Sequence, residues 1–306
     1  MSDGPQLPLP VILVSTAFGL ENLFSFMLNV FLIVTLLRYK ALRERKELLI
    51  LAGLAFGDAV LALGYCSAVL TRLFLLHKGV DRQPASVMQC AVRPYNILLV
   101  YGNTVSSLML VVVNLDRLYA VAFPFFYFKA KCKYAIKTLA TCLGLSFLLS
   151  SAAFYGLSTP AQGPLTQLCN PNQLQFPWIG SWVLAFSQLQ LICSLVSVLI
   201  YILIPLIYKQ KAKKVVPQQY CLSTQAASAA KQRRLVKTMS WSTVCTVVFV
   251  LVPMIVRTIV AGLPVGNKVL KLINLIRVLN SLANFFLYFA RHRDIRRAML
   301  RSVRCK

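Results

Sequence analysis

The sequence predicts an all-α membrane protein: a seven-transmembrane helical bundle followed by a short amphipathic helix. Three observations predict it. Of 306 residues, 58% are hydrophobic and 13% charged, with a mean hydropathy of +0.69, whereas soluble domains carry about 25% charge and about 45–50% apolar residues. The apolar residues fall into seven long runs, about 10–37, 48–76, 91–123, 135–158, 178–208, 236–262 and 269–290. Each matches the roughly 20 residues that cross a hydrocarbon core about 30 Å thick. The basic residues gather in the gaps between runs. A net charge of +25 therefore does not point to nucleic acid, whose binders cluster charge on one soluble face.

None of the runs alternates in polarity over about ten residues as barrel strands do. The first run lacks a basic leading region and is too long for a cleaved signal peptide. Of the 33 Lys and Arg residues, 25 lie in 38–46, 117–137, 209–237 and 291–306. The positive-inside rule then predicts an extracellular N-terminus, a cytoplasmic C-terminus and a multi-pass protein of the plasma membrane. Residues 1–290 form the membrane domain. Residues 291–306 carry apolar Ile295, Met299, Leu300 and Val303 among basic residues, the pattern of an amphipathic helix lying on the inner leaflet.

Cys90 opens the third run and Cys169 lies in the loop before the fifth, both on the oxidising side, so a Cys90–Cys169 disulfide is expected. Cys305 is a palmitoylation candidate beside the inner leaflet. The two histidines, His77 and His292, fall on opposite sides, and no nucleophile or metal-ligand cluster is visible; the expectation is a protein that is not an enzyme. A retinal protein would need a lysine inside the last run, where Lys271 sits only at the outer end.

Polar groups inside a span are costly and call for a partner or a function. Asp58 sits mid-span in Leu54-Ala55-Phe56-Gly57-Asp58. Asn280, Ser281, Asn284 and Tyr288 form one polar stripe on the last span. With Asn29 and Ser106 they are either interhelical polar glue or a site for a proton or a small cation such as sodium at Asp58. The third run ends in Asn114-Leu115-Asp116-Arg117-Leu118-Tyr119-Ala120-Val121-Ala122-Phe123-Pro124, where the Asp-Arg pair is a boundary anchor or a functional switch.

These residues carry a family resemblance over all seven spans. D-R-x-x-A-V-x-x-P resembles the D-R-Y region of rhodopsin-like G-protein-coupled receptors. Asn284-Phe285-Phe286-Leu287-Tyr288 is similar to their N-P-x-x-Y motif with Phe in place of Pro, L-A-F-G-D to their second-span L-A-x-x-D, and Asn29 to their first-span Asn. L-D-R-L-Y-A-V-A-F-P-F-F-Y, Cys169-Asn170-Pro171 and S-L-A-N-F-F-L-Y-F-A-R-H-R-D-I-R-R-A more narrowly resemble nematode Srsx-type serpentine chemoreceptors. The chain departs from the wider family at Leu251, where many members place Trp two residues before Pro253. It also carries Arg233 and Arg234 where some members place an acid that holds the third-span Arg. Like charges repel, so no lock between Arg117 and the sixth span is expected.

The resemblance implies a two-state bundle in which an extracellular ligand favours the state that admits a heterotrimeric G protein. Asp116, Arg117, Leu118, Tyr201, Asn284 and Tyr288 would carry coupling and activation. The ligand would be a small molecule sensed from outside or, alternatively, a neuropeptide or other internal signal. A transporter or channel is the rival from another class, disfavoured because no paired repeats or broken mid-span helices are visible. Biogenic-amine receptors use a third-span Asp as counter-ion; Leu99 stands there. Arg93, Arg257 and Arg277 instead suit a ligand with an anionic group, with Asn96, Asn103, Met254 and Asn274 completing the candidate pocket. Arg277 could equally pair with Glu21, which lies at similar depth on the first span.

Overall fold

The computed structural model describes residues 9–81, 83–155, 165–169, 175–176, 180–214, 244–245, 247–260 and 266–304. In chain order these form α1 (Leu9–Arg38), α2 (Lys40–Arg43), α3 (Lys46–His77), β1 (Pro84–Ala85), α4 (Val87–Ala91), α5 (Pro94–Ala122), α6 (Pro124–Lys129) and α7 (Cys132–Tyr155). There follow β2 (Leu165–Thr166), β3 (Gln175–Phe176), β4 (Gly180–Ser181), α8 (Trp182–Lys214), a π segment (Val247–Leu251), α9 (Val252–Val260), α10 (Gly266–Arg291) and α11 (Arg293–Arg304). Among the described residues five helices are long and apolar enough to cross a bilayer, within α1, α3, α5, α7 and α8. The π segment with α9, and then α10, fall within or over the sixth and seventh predicted runs. The fold is the expected all-α seven-helix bundle.

Proline sets several boundaries. Pro94 and Pro124 stand first in α5 and α6, where a missing N–H costs nothing and φ is already helical. The third run thus breaks near Val92 and Arg93, and Cys90 sits on the separate α4 rather than at the start of the spanning helix. Ser86 caps α4 by accepting from the Gln89 N–H, and the Gln89 side chain accepts from the Ser86 N–H in return. The sixth run is not one regular helix. Pro253 has no N–H for the carbonyl four residues back, and the turn before it widens into the π segment Val247–Leu251.

The chain divides into two compact units: Met1–Val34 with Ala52–Met109 and Leu139–Gln190, and Thr35–Leu51 with Leu110–Thr138 and Leu191–Lys306. In the first unit α3 and α5 approach backbone to backbone at glycines. A Cβ on Gly57 would stand 2.8 Å from the Ser106 nitrogen, and one on Gly102 would stand 2.6 Å from the Leu61 nitrogen. Membrane helices, with no hydrophobic drive to bring them together, use small residues in this way. Polarity is inverted relative to a soluble protein: Ser146 on α7 is fully buried while Leu148 is 65% exposed. The same holds in the second unit, where Ser194 and Ser197 on α8 are buried and Leu199 faces out. Lipid solvates the leucines; the serines turn inward.

Candidate functional site

Glycine packing in the first unit creates its polar centre. Because Gly57 lets α5 come close at Ser106, the Ser106 hydroxyl donates to Asp58 Oδ1. Asp58 is 8% exposed, and the two oxygens make a compact hard-donor pair. Asn29, buried on α1, donates to the Ser25 carbonyl at 2.9 Å. Glu21, on the same helix, has both carboxylate oxygens buried without a hydrogen-bond partner among the described residues. The Arg277 side chain lies outside the described residues, as do those of Arg257 and Asn274, and Cys305.

The loop of this unit that carries Cys169 is tied down at several points. β1 pairs antiparallel with β2, with Pro84 opposite Thr166, and Cys90 is disulfide-bonded to Cys169 with Cα atoms 5.1 Å apart. Arg93 donates to the Gln167 side-chain oxygen, whose amide in turn donates to the Pro84 carbonyl at 3.2 Å. Tyr95 reaches the Leu168 carbonyl at 3.4 Å. Beneath these, Asn96 donates to the Cys90 carbonyl at 2.7 Å and leaves a buried Oδ1 without a hydrogen-bond partner among the described residues. Leu99 packs on the Cys90–Cys169 cluster and against Gly64, and Asn103 is buried one turn further along α5. The disulfide closes a sequence separation of 79 residues. A Cys90→Ser variant is therefore expected to lose about 4 kcal/mol of loop-closure restraint, read as a lowered thermal unfolding midpoint. An unchanged midpoint would mean that the β1–β2 ladder and Gln167 hold the loop alone.

In the second unit, Asp116 is nearly fully buried. Its Oδ2 accepts from the Tyr127 hydroxyl at 3.2 Å, and its Oδ1 has no partner among the described residues. None of the ion pairs among the described residues includes Asp116 or Arg117. Asp116 thus bonds to the following short helix, and successive residues on a helix do not face each other. Tyr127 was not legible as a functional residue. Burial first, and the Asp116 carboxylate second, push its phenol above the ordinary range, so it remains a proton donor to Asp116. Its ring stands edge-on to Tyr119 at 5.9 Å.

Two further groups escaped the sequence. Lys46 donates to the Ala130 carbonyl at 2.8 Å and to the Tyr127 carbonyl, closing the carbonyl end of α6, and lies over the Tyr127 ring. Arg45 bridges Glu47 at 3.0 Å and Asp294 at 2.9 Å, while Tyr39 contacts Ser302 at 3.2 Å; together these tie α11 to the turn before α3. The Glu47 carboxylate also lies within electrostatic reach of Arg117 and Asp116. The only sequence signal was the acid in the first turn of α11, where a helix favours negative charge.

Leu118 and Tyr201 pack together on a cluster of Val121, Ile200 and Ile204. Asn284 is buried on α10, one turn from Asn280, whose Oδ1 is buried without a hydrogen-bond partner among the described residues. Ser281 and Tyr288 are half-buried on the same helix. Phe285, standing where the related motif has Pro, keeps its N–H, and α10 runs unbroken to Arg291; its ring stacks on Phe289 at 6.3 Å. Met254, just after Pro253, is buried.

Residues 22–303 match the family model described as serpentine type 7TM GPCR chemoreceptor Srsx. The trace amine-associated receptor 8b of Mus musculus is 26% identical over 217 residues, which are 69% of this chain and 60% of the mouse protein. The chain thus spans about three fifths of that relative's length. The family match covers the paired Cys90, the Asp116-Arg117 end of α5, the α10 stripe and nearly all of α11, and on that breadth the chain belongs to the Srsx family of serpentine seven-transmembrane G-protein-coupled chemoreceptors.

Proposed function

We propose that this chain is a chemosensory receptor that takes a small extracellular ligand and signals through a heterotrimeric G protein. Its N-terminus is outside and its C-terminus in the cytoplasm, as the distribution of basic residues favours. The observation that carries the reading is the Asp116–Tyr127 bond beside a half-buried Arg117 that no carboxylate pairs with among the described residues. Arg117 is held near its acids without being committed to them, which suits a group that changes partners between two states. A mixed panel of odorants, organic acids and peptides, read by G-protein dissociation in cells expressing the receptor at the surface, tests it. A peptide hit would favour the internal-ligand alternative; ion flux without G-protein involvement would favour a channel or transporter.

The mouse relative is named for trace amines, but Leu99 offers no counter-ion to an ammonium, and no acid stands on α5 before Asp116. A ligand with an anionic group for Arg93 and a hydrogen-bond donor for the buried Asn96 oxygen suits this region better, since the Arg93 guanidinium has donors beyond the one that meets Gln167. Asp58 and Ser106 would contribute oxygen ligands to a small cation such as sodium, a donor type that hard cations prefer. Such an ion would favour the state in which those oxygens stay together. Raising sodium is then expected to weaken agonist potency several-fold in the parent, and Asp58→Asn to abolish that dependence. Equal sodium sensitivity in both would remove the ion from the mechanism.

A further inference from the structure

The segment joining α5 to α7 is a six-residue helix, Pro-Phe-Phe-Tyr-Phe-Lys, and its phenylalanines stay largely exposed. Phe125, Phe126 and Phe128 are 64%, 61% and 81% exposed, while Phe123, just before the helix, packs against Tyr119. A connection between membrane spans does not ordinarily offer three largely exposed phenylalanines to water. The residues that hold this helix also set its depth. Tyr127 is drawn to Asp116, which lies within the spanning helix Pro94–Ala122. At the other end the Ala130 carbonyl is held by Lys46, the first residue of the spanning helix Lys46–His77. The helix therefore lies level with the ends of two spans.

We propose that α6 is an interfacial anchor: its phenylalanines enter the headgroup–acyl boundary of the adjacent leaflet, and the lysines around them bind anionic lipid headgroups. Lys129, Lys131 and Lys133 are exposed, and Lys129 lies 4.2 Å from the centre of the Phe125 ring. No acidic residue occurs between Asp116 and Asp294, so nothing in the segment repels an anionic surface. A bare aromatic face bordered by cations is what a lipid interface selects, the rings for the apolar boundary and the lysines for the headgroups. In the proposed orientation that leaflet is the cytoplasmic one, whose anionic lipids complete the match. The anchor would hold the corner carrying Tyr127, and through it Asp116, at a fixed depth.

The test needs neither ligand nor G protein, so it stands or falls independently of the signalling reading. Phe128→Trp, a mild change at an exposed position, is placed in the full chain in phosphatidylcholine/phosphatidylserine nanodiscs, with the unmodified chain and its three tryptophans as background. The added emission is expected to be blue-shifted and to fall about twofold or more when the lipids are brominated near the glycerol end of their chains. In a Lys129→Gln, Lys131→Gln, Lys133→Gln background the quenching should weaken in phosphatidylserine discs and change little in pure phosphatidylcholine. Water-like emission indifferent to bromination overturns the anchor. So does emission that shifts only when a G protein is added, which would assign the face to that protein. Equal quenching with and without the lysines overturns the role given to anionic lipid.

Discussion

Arg117→Ala, present at the cell surface in normal amounts, is expected to reduce agonist-stimulated G-protein dissociation to background. The expectation rests on what surrounds the guanidinium. Asp116 is engaged by Tyr127 through one oxygen, and its other oxygen has no partner among the described residues. Arg233 and Arg234 stand where a sixth-span acid would be needed for a lock. The field at Arg117 comes instead from Asp116 and Glu47, both within reach yet neither in ion-pair contact. A planar five-donor group so loosely held can be transferred to new acceptors at small cost, and alanine removes every donor at once. Arg117→Lys keeps the charge without the fork and should retain partial coupling. Tyr127→Phe should act in the opposite direction. It deletes a bond to a charged acceptor of the kind worth about 1.5–3 kcal/mol, so constitutive signalling should rise several-fold if that bond belongs mainly to the resting state. Full coupling by Arg117→Ala would take this residue out of the mechanism.

The class of the protein was readable because lipid imposes a coarse rule, long apolar runs with basic gaps, that no soluble fold satisfies. The disulfide was readable because the distribution of basic residues predicts an orientation that puts Cys90 and Cys169 on the oxidising side. What stayed hidden depended on spacing in three dimensions. Tyr127 reaches Asp116 only because Pro124 starts a new helix that turns the chain back. Lys46 looked like one more positive-inside residue, and its hydrogen bonds to α6 carbonyls follow from the placement of α6, which composition does not report. Gly57 and Gly102 were ordinary letters in apolar runs. Their meaning lies on the opposite helix, at Ser106 and Leu61. Conversely, Asn280, Ser281, Asn284 and Tyr288 share a helix whose periodicity alone put them on one stripe. The π turn before Pro253 was masked by uniform hydropathy, since a change of hydrogen-bond register leaves no trace in it.

Those glycines give the second large effect, and it is graded. At Gly102 a new Cβ would meet backbone: the Leu61 nitrogen at 2.6 Å, the Leu61 Cα at 2.8 Å and the Val60 carbonyl carbon at 3.0 Å. Backbone in the middle of a helix cannot step aside, so Gly102→Ala must push α3 from α5, at a cost at or above the roughly 1–3 kcal/mol typical of overpacking. Gly102→Leu should leave little folded receptor. At Gly53 the neighbours are the far ends of the Leu139 and Met109 side chains, which can rotate away, so Gly53→Ala should cost less. At Gly144 nothing lies within 4 Å, and alanine there should be neutral or gain up to about 1 kcal/mol from helix propensity. Thermal unfolding midpoints of purified receptor should therefore fall in the order Gly144→Ala, Gly53→Ala, Gly102→Ala. The separation at Gly102 should also loosen the Ser106–Asp58 bond, because Gly57 holds the same two helices one turn away. Sodium sensitivity, if Asp58 carries it, would then decline in Gly102→Ala at temperatures where the protein is still folded. Equal midpoints for Gly102→Ala and Gly144→Ala would mean that α3 and α5 are not in backbone contact, and the geometry that joins Ser106 to Asp58 would lose its cause.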